Sequence, residues 1–130
     1  MAARHMLCTP CIDMRILLIS PFAAERTALQ ELLHADGHRV TAVESRADGL
    51  VAASTEHPDV IIADVQVPGL DGLPLLRELS ARGARRVILL CPRANRTIEK
   101  NGVVCLTKPI DLAELARYLA QGPVPIARFA

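Results

Sequence analysis

Pro58-Asp59-Val60-Ile61-Ile62-Ala63-Asp64-Val65-Gln66-Val67-Pro68-Gly69-Leu70-Asp71-Gly72 is the stretch that decides the fold. It begins as an apolar run without polar alternation and closes on a single carboxylate, Asp64. A short continuous run of this kind reads as a strand covered on both faces, the third of the chain. Val67 to Gly72 is then a loop by its turn residues.

The flanking sequence repeats the pattern. Arg15-Ile16-Leu17-Leu18-Ile19 is the first strand. Ser20-Pro21 reads as a helix start, with serine as cap and proline at the first helical position. Ala28, Leu29, Leu32 and Leu33 form one apolar stripe, and Gly37 ends that helix. His38 to Val43 is a weaker second strand. Ser45 with Asp48 resembles a capping box, and Ala47, Leu50, Val51 and Ser54 share a face of the helix that His57-Pro58 stops. Leu73, Leu76 and Leu79 mark a third helix ended by Gly83. Val87 to Cys91 is the fourth strand, and Arg93 to Lys100 is a short polar fourth helix. Val103 to Leu106 is the fifth strand. Asp111 caps a fifth helix carrying Leu112, Leu115 and Leu119, with Glu114 completing a second capping box.

Strands alternating with helices require a parallel sheet with right-handed crossovers and helices on both faces. Function then collects at the carboxyl ends of the strands. That rule alone selects Ser20, Asp64, Cys91 and Thr107-Lys108.

Composition narrows the class. The chain has 130 residues, enough for one domain with its own core. Hydrophobic residues are 51% and aromatic residues 2%, so the core is aliphatic and disorder is confined to the ends. No apolar run approaches a bilayer span, and no signal peptide is visible, so the expected location is cytoplasmic, away from membranes. Net charge is +1. Arg82, Arg85, Arg86, Arg93, Arg96 and Lys100 face only Glu99 locally, and they read as a solvated face. No aromatic accompanies them, which argues against direct nucleic-acid binding. Cys8-Thr-Pro-Cys11 has redox-pair spacing but precedes the first strand, where no thioredoxin-type site sits. His5-Met6 resembles a cloning scar. Residues 1–13 are thus expected to be an N-terminal extension, 14–121 the domain, and 122–130 a proline-containing tail.

Residues 58–72 resemble the signature around the phosphorylated aspartate of bacterial response regulator receiver domains. Leu106-Thr107-Lys108-Pro109 resembles that family's second signature, at the end of the fifth strand. The resemblance covers about residues 14 to 121. It implies a flavodoxin-like (CheY-like) doubly wound α/β fold with five parallel strands in the order 2-1-3-4-5. It implies two-component phosphorelay signalling, with a histidine kinase or another signalling protein as partner, and a homodimer as one assembly. In such a site Asp64 attacks a phosphoryl group, Lys108 pairs with the phosphoryl oxygens, and Mg²⁺ bridges the Asp64 carboxylate and those oxygens. Gln66 offers its backbone carbonyl to the metal, and Pro109 follows a cis bond. Beyond Mg²⁺-assisted self-phosphorylation, no enzyme activity is implied.

The sequence departs from the family at four points. Ser20 and Pro21 stand where receivers carry two adjacent acids that hold the metal. Magnesium prefers carboxylate oxygens and gives up water reluctantly, so Mg²⁺ should be held weakly or not at all by Asp64 and Gln66. A nearby side chain such as Glu25 could stand in, with nothing in the sequence requiring it. Cys91 replaces the hydroxyl residue of the switch, and a thiol is the weaker donor. Cys105 replaces the switch aromatic. Only ten residues separate Cys91 from Gly102, which shortens the fourth helix.

The expectation is therefore a degenerate receiver acting through protein–protein interaction. The first alternative is a working phosphoacceptor switched by a kinase. The second is a thiol- or redox-sensitive module, because Cys91 and Cys105 lie on adjacent strands about 5 Å apart. An unrelated small-molecule binder of similar fold would need a glycine-bearing phosphate loop after the first strand, and Ser20-Pro21-Phe22-Ala23 has none.

Overall fold

A computed structural model of the chain describes residues 14–67, 86–92 and 103–120. Its elements run β1 (Arg15–Ile19), α1 (Ala23–Ala35), β2 (Arg39–Val43), α2 (Arg46–Glu56), β3 (Val60–Asp64), β4 (Arg86–Cys91), β5 (Val104–Thr107) and α3 (Leu112–Ala120). The five strands form one sheet in the order β2-β1-β3-β4-β5, every neighbouring pair parallel. That is the expected topology. The helix read over Leu73 to Leu79 and the short one over Arg93 to Lys100 lie outside the described residues.

Successive strand side chains point to opposite faces, and this alternation divides the core in two. Leu17, Ile19, Ile61, Ala63, Leu89 and Cys91 face one layer, which Ala52 and Ala53 of α2 complete. Ile16, Leu18, Val60, Ile62, Ile88 and Leu90 face the other, closed by Leu29 and Leu33 of α1 and Leu115 and Leu119 of α3. Burying one such aliphatic side chain contributes roughly 1.5–3 kcal/mol, more than a single helix cap. The core therefore holds the fold, and the caps set where elements start and stop.

The α1 terminus differs from its sequence reading. The helix starts at Ala23 with Phe22 as its N-cap and no side-chain cap bond. Ser20 does not cap it, because its hydroxyl is already taken: it accepts from the Phe22 N–H at 3.2 Å and donates to Glu25 at 2.7 Å. The other end is as read. Gly37 has φ 95°. Its N–H reaches the His34 carbonyl at 2.9 Å, and the His38 N–H reaches Leu33 at 3.1 Å, the two bonds of a Schellman turn.

Ser45 caps α2 by accepting from the Asp48 N–H at 3.1 Å. The buried face of α2 is Gly49, Ala52 and Ala53, with Leu50 packed beside it. Ala47, Val51 and Ser54 are exposed instead of sharing the core face, Val51 by 65%. The reason is close approach: a Cβ on Gly49 would stand 2.6 Å from Ile19 Cδ1. The smallest residues face the sheet, and the larger valine is left outside. The helix ends at His57, held in the left-handed region with φ 50° just before Pro58.

Three smaller readings change. Ala28 is exposed, and Leu112 is 48% exposed, so neither belongs to the core stripe of its helix. Arg86 lies on buried β4, so it is not part of a solvated basic face. Asp111 caps α3 as read, its Oδ1 accepting from the Ala113 and Glu114 N–H groups.

Candidate functional site

The carboxyl ends of β1, β3 and β5 meet at one cluster of charge. Asp64 closes β3, the central strand, and is fully buried. Its Oδ1 accepts the Gln66 N–H at 2.8 Å, and its Oδ2 is ion-paired with Lys108. Lys108 follows β5 directly. Its backbone N–H donates to the Cys91 carbonyl at 2.8 Å, and it precedes a cis bond to Pro109.

A second carboxylate completes the cluster. Glu25 is the third residue of α1, and its Oε1 lies 2.8 Å from Lys108 Nζ. Its Oε2 accepts from the Ser20 hydroxyl at 2.7 Å. Gln66 Oε1 stands 3.4 Å from the same ammonium, and the Phe22 ring centroid lies 4.8 Å away in cation–π range. Lys108 is thus surrounded by two carboxylates, an amide oxygen and an aromatic face. Pro21 lies beside this group but offers no charge.

The balance of forces on Lys108 shows in its titration. Burial lowers its pKa, but hydrogen bonds to Asp64 and Glu25, with their negative fields, outweigh that and raise it above 10.5. The folded state therefore keeps this proton more tightly than the unfolded chain does. The resulting stabilisation is complete below pH 10.5 and is lost as pH climbs through the raised value. Wild type should lose stability on that alkaline limb with a slope that Lys108→Met lacks, as alkaline denaturation curves of the two proteins would show.

The structure brings together Asp64, Lys108 and Gln66, the three residues the sequence reading assigned to one site, with Gln66 in contact through its N–H and side-chain oxygen. Glu25 was visible only as a nearby acid. Phe22 was missed as a contact, its one signal being an aromatic next to Ser20-Pro21 in a chain nearly devoid of them. Cys91 and Cys105 sit apart from the cluster, joined to each other by a disulfide.

Magnesium is the ion the fold implies, and the described residues do not fit it. Mg²⁺ needs near-octahedral oxygens, usually one or two carboxylates with waters. Here both carboxylates are spent on one fixed ammonium, whose charge opposes a divalent cation between them. Among the described residues no group of three or more His, Cys, Asp or Glu is placed to hold a metal ion.

Five parallel strands in this order, with an aspartate ending the central one and a lysine beside it, define a response regulator receiver domain. The family model for that domain matches residues 16–120, and the chain belongs to this family, in two-component signalling. It is 35% identical over 128 residues to the sensory/regulatory protein RpfC of Xanthomonas campestris, spanning 91% of this chain and 18% of that one. It is 32% identical over 113 residues to the protein PilH of Pseudomonas aeruginosa, spanning 81% of this chain and 93% of PilH. The receiver domain of the sensor histidine kinase PA1611 from the same species, crystallised with magnesium in its active-site cleft, superposes with a TM-score of 0.69. That alignment is 31% identical and covers 83% of this chain and 95% of the other. The chain thus spans about a fifth of RpfC and nearly all of PilH. Among the described residues no helix is long and apolar enough to cross a membrane.

Proposed function

We propose that this chain is a degenerate receiver that signals by binding a partner protein, without magnesium-dependent phosphorylation of Asp64. One observation carries the reading: Glu25 Oε1 sits 2.8 Å from Lys108 Nζ. By family resemblance that ammonium waits for a phosphoryl oxygen. Here a carboxylate of the chain itself already occupies it. Glu25 supplies, permanently, part of the negative charge that phosphorylation would bring, while Ser20 and Pro21 leave the metal without its acids. The partner class is a histidine kinase or another signalling protein, the setting in which RpfC and the PA1611 receiver are named. The chain turns over no substrate in this reading.

The alternative is a working phosphoacceptor. The burial of Asp64 at the end of the central strand, paired with Lys108, favours it. The two part on magnesium. An ion bound at a hundred times its Kd stabilises a fold by about 2.7 kcal/mol, a shift of several degrees in Tm. The degenerate reading expects no Mg²⁺-dependent shift in thermal unfolding. It also expects partner binding to be unchanged in Asp64→Asn. A saturable rise in Tm with Mg²⁺, lost in Asp64→Asn, would instead establish the phosphoacceptor.

A further inference from the structure

The Cys91–Cys105 pair takes no side-chain part in the ion cluster. Cys91 ends β4 and is 1% exposed, whereas Cys105 in β5 is only partly buried. In the β4–β5 register Leu89 faces Cys105 and Cys91 faces Thr107. The cysteines are therefore diagonal neighbours, two residues apart, and both pack into the α2-side layer. Their Cα atoms are 6.5 Å apart, inside the range that a disulfide spans without moving backbone.

Two features make this pair more than a staple. The two residues differ in exposure, Cys91 being buried and Cys105 partly exposed. And Cys91 is one hydrogen bond from the ion cluster, since its carbonyl holds the Lys108 N–H at 2.8 Å.

We infer that Cys91 and Cys105 are a site of reversible oxidation, exchanging electrons with low-molecular-weight disulfides of the glutathione class. The Cys105 thiolate attacks the external disulfide RSSR; a sulfur–sulfur bond forms on Cys105, the bond in RSSR breaks, and one RS⁻ leaves. The Cys91 thiolate then attacks the Cys105 sulfur and expels the second RS⁻. The two cysteine protons pass to the departing thiolates. Two cysteine thiols are oxidised to one disulfide, and one RSSR is reduced to two RSH. Excess RSH drives the reverse. Oxidation ties β4 to β5 next to Lys108, and reduction releases that tie. The site stands whether or not Asp64 accepts a phosphoryl group.

The test uses the full chain with Cys8→Ser and Cys11→Ser, so that only this pair remains. The folded protein is equilibrated in glutathione buffers of graded ratio, from both the reduced and the oxidised side, then alkylated and weighed intact. The expected result is one two-thiol transition reached identically from both directions, with Tm rising by several degrees on oxidation. Cys91→Ser should accumulate a glutathione adduct on Cys105, while Cys105→Ser should leave Cys91 unmodified in the folded state. Peptide mapping of the oxidised wild-type chain should find the Cys91–Cys105 bond. The inference is overturned if both thiols stay alkylatable in the most oxidising buffer, if glutathione cannot reopen the bond in the folded protein, or if both single variants form adducts equally.

Discussion

Lys108→Met should cost about 2–4 kcal/mol of folding stability, while Asp64→Asn should change it by about 1 kcal/mol or less. The asymmetry follows from burial. Asp64 is fully enclosed, and among the described residues its negative charge is answered by the Gln66 N–H and the Lys108 ammonium. Taking the ammonium away leaves a carboxylate in a poorly polarisable interior, the costliest way to break a buried pair. The lower end of the range reflects the lysine side chain, which is 22% exposed and already partly screened. Asp64→Asn works in the opposite sense. It removes the desolvated charge, and Lys108 keeps Glu25 and the face of Phe22. The double variant should recover most of what Lys108→Met loses, because the stranded charge is gone. Urea denaturation of the two single variants and the double variant gives the coupling directly. Equal losses in both single variants, or no recovery in the double, would show that the pair is not a charge problem.

The second large effect is a gain. Ser20→Asp with Pro21→Asp places two carboxylates at the carboxyl end of β1, the strand beside β3. In the register Ile19 pairs with Ala63, so the residues that follow each of them lie together. Without metal the added charge should destabilise the fold by roughly 1–3 kcal/mol, since Ser20 is fully buried and Glu25 and Asp64 are near. An aspartate at 20 cannot donate to Glu25 as the serine hydroxyl does, so Glu25 loses that hydrogen bond and gains a like charge beside it. With Mg²⁺ the sign reverses: the ion now has the carboxylates it prefers, and binding stabilises the folded state by mass action. Thermal unfolding should show a saturable Mg²⁺ dependence in the variant and none in wild type. A variant as indifferent to Mg²⁺ as wild type would mean that charge at 20 and 21 is not what this site lacks.

Much of this was readable from the sequence, for physical reasons that differ by residue. Parallel strands buried on both faces must be apolar throughout, so Arg15–Ile19 and Val60–Asp64 stand out against their surroundings. Asp64 and Lys108 stand out for the complementary reason, being charges at the ends of such runs. Glu25 was harder. A helix starting at Pro21 would have put Glu25 on its second turn. Because α1 starts at Ala23, Glu25 falls in the first turn, where it reaches back to Ser20 and across to Lys108. The misplaced cap thus hid how Glu25 reaches Ser20 and Lys108, although the residue itself was visible as a nearby acid. The inner face of α2 was hidden differently. Periodicity weighted by size favours Val51, whereas the close approach over Ile19 demands Gly49, and the buried face it shares is completed by Ala52 and Ala53. The sulfur pair was legible as neighbouring strands, and its diagonal offset emerged only with the β4–β5 register.

The most direct measurement is intact-mass spectrometry of the wild-type chain after incubation with a small-molecule phosphodonor, with and without Mg²⁺. The expected result is an unchanged mass in both samples, alongside a Ser20→Asp, Pro21→Asp control that gains one phosphoryl group with Mg²⁺. A magnesium-dependent phosphoryl adduct on wild type, removed by Asp64→Asn, would overturn the degenerate-receiver reading.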